Sequence, residues 1–158
     1  MLNHLVEVWA SIYSNHAALR TAVEFAHVGG LVGGGGCAIA SDRATFLALR
    51  QPPSARGLHL RSLSSVHRIV VIGLAATMAS GVLLFASDLD TFLYSKIFWI
   101  KMGLVALLLV NGGLLLRAEH QAERGHDEAW SRLAWTSGIS LALWLLTTLA
   151  GAALPNIG

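Results

Sequence analysis

Residues 23–43 read VEFAHVGGLVGGGGCAIASDR. The stretch is apolar enough to enter a lipid bilayer, yet it carries Glu24, His27 and six glycines. Glycine is a poor residue for holding an isolated helix. A glycine-rich span therefore points to something packed closely against it. Gly29 and Gly33, and Gly30 and Gly34, stand four residues apart, and Cys37, Ala38 and Ala40 continue the small-residue pattern. One side of this segment is nearly bare backbone, the surface that lets membrane helices approach each other.

The rest of the chain fits that setting. Of its 158 residues 54% are hydrophobic and 13% charged, and the mean hydropathy is +0.60. Soluble domains average about 25% charged residues, so this is a membrane protein. Apolar runs at about 67–87, 92–116 and 133–154, with the opening run at about 19–41, each supply the ~20 residues needed to cross a ~30 Å hydrocarbon layer. The expected fold is all-α, an integral membrane four-helix bundle forming one domain over residues 1–158. The segment LNHLVEVWASIY spaces Leu2, Leu5, Val8, Trp9 and Ile12 at helical intervals, which predicts a short interfacial helix ahead of the first span. Residues 1–18 lack the pattern of a cleavable signal.

Orientation is read from the arginines. Arg43, Arg50, Arg56, Arg61 and Arg68 crowd the first connection and Arg117, Arg124 and Arg132 the third, while the second holds Asp88, Asp90 and Lys96. Basic residues are retained on the cytoplasmic side of short loops. The expectation is a multi-pass protein of a bacterial inner membrane with both termini outside the cytoplasm. The slight basic excess is matched by anionic inner-leaflet lipid. No basic cluster is interleaved with aromatics, so nucleic acid is not an expected partner. The partners to expect are the bilayer and a membrane-protein subunit or a second copy of the chain.

Cys37 is alone, which excludes an intramolecular disulfide and makes it a small packing residue. RQPPSARG, residues 50–57, reads as a loop, and RAEHQAERGHDEAW, residues 117–130, as an alternating-charge connection. His4, His16, His59, His120 and His126 fall in these or in interfacial stretches and read as solvated.

Five side chains in the outer half of the spans bear on chemistry. His27 shares a face with Gly30 and Gly34 by the i, i+3, i+7 rule. A ring nitrogen can ligate haem iron, and missing side chains leave room for a flat macrocycle. At ~1.5 Å per residue, Lys101, Met102 and Met78 reach a depth similar to that of His27. This makes His27, Gly30, Gly34, Lys101, Met102 and Met78 a candidate cofactor set, with haem b the cofactor considered. His67 opens the second span at the far end, too distant to be a second axial ligand. Glu24 and His27, at i, i+3, form a candidate metal pair; alternatively Glu24 pairs with Arg20. Lys101 within an apolar span needs a partner, for which Glu24 is the expected one. At the other end Asp42, Arg43, His67, Arg68, Asn111 and Arg117 are expected to form an ion-paired polar layer.

A His early in the first span, HR opening the second (His67, Arg68) and FWIKMGLVALLLVNG in the third resemble a group of small bacterial inner-membrane proteins. The group takes in the copper-resistance protein D domain, the HemJ-type protoporphyrinogen oxidases and related four-helix proteins, and the resemblance covers about residues 20–118. It implies a four-helix bundle that uses His27 and Lys101 around haem or a metal. Three functions stay open: a haem b or metal protein for electron transfer, a transporter or its accessory subunit, and a structural subunit whose glycines serve packing.

Overall fold

A computed structural model describes residues 2–157, without the side chains of a few helical positions, Arg61 among them. The chain is helical from end to end, with no strand among the described residues. α1 spans Leu2–Asn15 and α2 Ala17–Gly30. A π-turn, Leu31–Gly35, continues α2 into α3, Gly36–Leu49. α4 is Pro53–Ser87, α5 Leu89–Tyr94, α6 Lys96–Glu123 and α7 Asp127–Ile157. Four helical segments, Ala17–Leu49, Ser65–Ser87, Lys96–Glu123 and Glu128–Asn156, are long and apolar enough to cross a membrane. The fold is an all-α bundle of a multi-pass membrane protein.

The helices run well past the apolar stretches that announced them. Residues 50–57 were expected to be a loop, but Pro53 starts α4, because a proline at the first helical position gives up only an N–H that has no helical acceptor. The connection shrinks to Arg50–Pro52. The third connection shrinks likewise to the turn around Gly125, whose φ of 82° suits glycine. Between the second and third spans the break is sharper. Asp88 accepts from Thr91 N at 3.3 Å and Ser95 accepts from Phe98 N at 3.2 Å, so each side chain caps a helix start and α5 stands apart from α6.

The bundle is two hairpins set side by side. In the first, the span formed by α2, the π-turn and α3 packs along α4; in the second, α6 packs along α7; α3 against α7 joins them. α1 docks on the C-terminal end of α4, where Trp9 Nε1 donates to Leu83 O at 2.9 Å. One apolar core, near the arginine-rich end, joins Leu60, Leu63, Ala118, Ala122, Ala129 and Leu133. A second, at mid-depth, joins Ala38, Leu108, Leu143 and Trp144. Phe25, Trp135 and Leu149 point outward, 77%, 74% and 64% exposed, as residues facing lipid tails do.

The glycines explain how the first hairpin closes. A Cβ at Gly73 would lie 2.6 Å from Gly34 Cα and 2.8 Å from Gly30 O, so α2 and α4 touch backbone to backbone. At the end of the π-turn Gly35 lies on another flank of the helix and meets the ring of Trp144, 2.9 Å from where a Cβ would stand. The π-turn thus lets successive glycines serve two neighbours. Gly33 and Gly36 face open space.

Candidate functional site

In the half of the bundle away from the arginine-rich end, α2 sets His27 against α4. Its Nδ1 lies 3.0 Å from Thr77 O and 3.2 Å from Ser80 Oγ, and its Cε1 lies 3.2 Å from where a Cβ at Gly81 would be. A carbonyl oxygen only accepts, so Nδ1 carries the proton and Nε2 keeps its lone pair. That tautomer, fixed by an Nδ1–H donated to a main-chain carbonyl, is the one metal-ligating histidines use. Lys101 stands near enough for its charge to act on the imidazole, and its Nζ is 3.5 Å from where a Cβ at Gly151 would be. On the same face of α7 as Gly151, one turn deeper, the buried Thr147 Oγ1 has no hydrogen-bonding partner.

The other expected members do not join this group. The face of Gly30 and Gly34, taken above as clearance for a macrocycle, is filled by the backbone of α4 at Val70, Gly73 and Thr77. Met78 and Met102 are 45% and 36% exposed on the outside of the bundle, because each sits about 100° around its helix from the inward residue before it. Glu24 is exposed and accepts from Tyr13 Oη at 3.3 Å. Burial, and then the Glu24 carboxylate, push the Tyr13 hydroxyl above its usual range. Arg20 donates to Ser14 O rather than to Glu24. The expected Glu24–Lys101 pair is absent from the ion pairs of the described residues. The physical reason is α1: it brings Tyr13 to Glu24 at the rim. Among the described residues no three His, Cys, Asp or Glu side chains converge on a point, so Glu24 and His27 are not completed into a metal cage.

The polar layer at the arginine-rich end exists, with a different membership. Asp42 is 4% exposed, and the hydroxyls of Ser140 and Ser137 stand beside its carboxyl. His67 Nδ1 lies 3.3 Å from Glu119 Oε2. Asn111 Nδ2 donates to Thr136 O at 3.0 Å, tying α6 to α7. Arg43, Arg68 and Arg117 are exposed and make none of these contacts, since an arginine at a span's end gains more from water and headgroups than from burial. His59, expected to be solvated, is half-buried, with Nε2 3.1 Å from the Oγ1 of the fully buried Thr45. Burial lowers its imidazole below the usual value.

Sequence reading missed Glu119, Ser137, Ser140, Thr77, Ser80 and the Gly35–Trp144 contact. Glu119 carried a signal: with Asn111 and Leu115 it falls on one face of the third span at i, i+4, i+8, running into the stretch set aside as a charged loop. The serines and threonines carried none, because their roles depend on which helix arrives opposite.

Comparison of the chain with protein-family models, with curated proteins and with solved structures found no match.

Proposed function

We propose that the chain is a multi-pass protein of a bacterial inner membrane, both termini outside the cytoplasm, whose His27 ligates haem b for electron transfer. The observation that carries this reading is the His27 tautomer: Nδ1–H held by Thr77 O, Nε2 bearing the lone pair. The donor fits an axial ligand. The Gly30–Gly34 face does not fit a macrocycle, so the cofactor belongs on the side of His27 that looks toward Lys101 and Gly151. Haem b, when bound, supplies a one-electron couple. Thr77 and Ser80 hold the imidazole in one orientation; Lys101 supplies a cation for an anionic group on the ligand, having no acidic partner among the described ion pairs. The resemblance of the first and third spans to the copper-resistance protein D and HemJ-type group points the same way. The orientation rests on eight arginines at one end of the bundle, against Arg20, Lys96 and Lys101 elsewhere.

A second reading, a transporter component or structural subunit without a cofactor, is favoured by the backbone contact of Gly30 and Gly34 with Gly73, which accounts for those glycines by packing alone. Spectra decide between the two. Wild type and His27→Ala are purified from membranes of haem-supplied cells and compared for a Soret band and iron content. A band in wild type that is lost in a helical, monodisperse His27→Ala supports haem ligation. A colourless, iron-free, folded wild type refutes it and leaves the second reading.

A further inference from the structure

The arginine-rich end holds more buried acid than its packing requires. Asp42 on α3 and Glu119 on α6 are 4% and 8% exposed, and they lie near enough to interact electrostatically. One oxygen of each, Asp42 Oδ2 and Glu119 Oε1, is buried with no hydrogen-bonding partner, while the hydroxyls of Ser137 and Ser140 stand beside the Asp42 carboxyl. A buried acceptor without a donor is costly, and a buried charge without a partner more so. Two carboxylates in that setting repel each other, and a proton bound by one of them removes the repulsion and provides a donor.

The neighbours supply little else. From α4, His67 faces Glu119, and His59 faces Thr45 one turn beyond Asp42. From α6, Glu123 adds a further negative charge near Glu119. From α7 come only the hydroxyls of Ser137 and Ser140. No arginine or lysine joins the carboxyls among the described ion pairs. Of the His67–Glu119 pair, His67 is the more open to solvent: its side chain is 22% exposed, against 11% for that of Glu119.

We propose that Asp42, Glu119 and His67 form a proton-binding site at the arginine-rich end of the bundle. His67 passes the proton between the aqueous phase and Glu119, and Ser137 and Ser140 solvate the Asp42 carboxylate nearby. No covalent bond other than O–H or N–H forms or breaks, and the co-reactant is water. The site is independent of any ligand at His27, which lies in the opposite half of the bundle.

Infrared spectroscopy of the full chain in lipid tests this without needing a cofactor. Exposed carboxyls, with ordinary values near 4, are ionised above about pH 5. Wild type should nevertheless retain a protonated-carboxyl C=O band there. Glu119→Gln and Asp42→Asn should each remove or displace that band, and His67→Gln should shift the pH at which it is lost. Absence of the band in wild type above pH 5 overturns the proposal, whatever the variants do. A band that is unchanged in both helical amide variants overturns it too.

Discussion

Gly73→Ala tests the central contact of the fold. The new Cβ would stand 2.6 Å from Gly34 Cα, 2.7 Å from Gly34 N and 2.8 Å from Gly30 O. Carbon atoms rest at about 3.5–4.0 Å, so the two helices must move apart by about 1 Å. All three obstructing atoms are main chain, so no rotamer change relieves them. Overfilling a packed site costs about 1–3 kcal/mol when side chains can adjust, and this backbone-on-backbone case belongs at the upper end, about 3 kcal/mol. A 1 Å gap also forfeits up to about half of the dispersion energy of the contacts it opens. Reversible unfolding in mixed micelles, or steric trapping in bicelles, measures the difference. Gly33→Ala is the control: nothing lies within 4 Å of that Cβ, and its stability should stay within about 0.5 kcal/mol of wild type. If Gly73→Ala is as stable as Gly33→Ala, α2 and α4 do not meet through Gly34 and Gly73 and the packing argument fails.

Other expectations are independent of that contact. Because burial lowers the His59 imidazole, the unfolded chain takes up a proton below about pH 6.5 that the folded chain refuses, so stability is complete above that value and falls as pH drops from it. His59→Gln should remove this component, and a wild-type-minus-variant difference in unfolding midpoint that is flat across that range would contradict it. Reporter fusions after Gly158 and within the Gly125 turn should be active on opposite sides of the membrane, the second in the cytoplasm; the reverse pattern would overturn the proposed orientation.

How much of this was legible beforehand differs from one part of the molecule to another. The four apolar runs and their all-α character follow from composition and length, because a segment surrounded by lipid must satisfy its own backbone hydrogen bonds and the helix does so locally. The close approach at Gly30 and Gly34 was likewise written in the spacing, and so were Asp42, His67 and Asn111 as members of a polar layer. These are properties of one helix at a time. The lengths of α4 and α6 were not legible, since polar residues beyond a membrane span leave the helix free to continue, as α6 does to Glu123.

Pairings between helices were decided only by tertiary structure. Sequence placed Glu24, His27, Lys101, Met78 and Met102 at one depth, but depth fixes a coordinate along the membrane normal and leaves the rotation of each helix undetermined. Within the π-turn at Leu31–Gly35, Gly34 meets α4 and Gly35 meets Trp144. α1 takes Glu24 to Tyr13, and Met78 and Met102 lie exposed on the bundle surface. What His27 receives is the carbonyl of Thr77, a group every residue possesses and no sequence pattern marks. The same holds for Asp42 and Glu119, seventy-seven residues apart in the chain and brought within electrostatic reach because α3 and α6 both pack against α7.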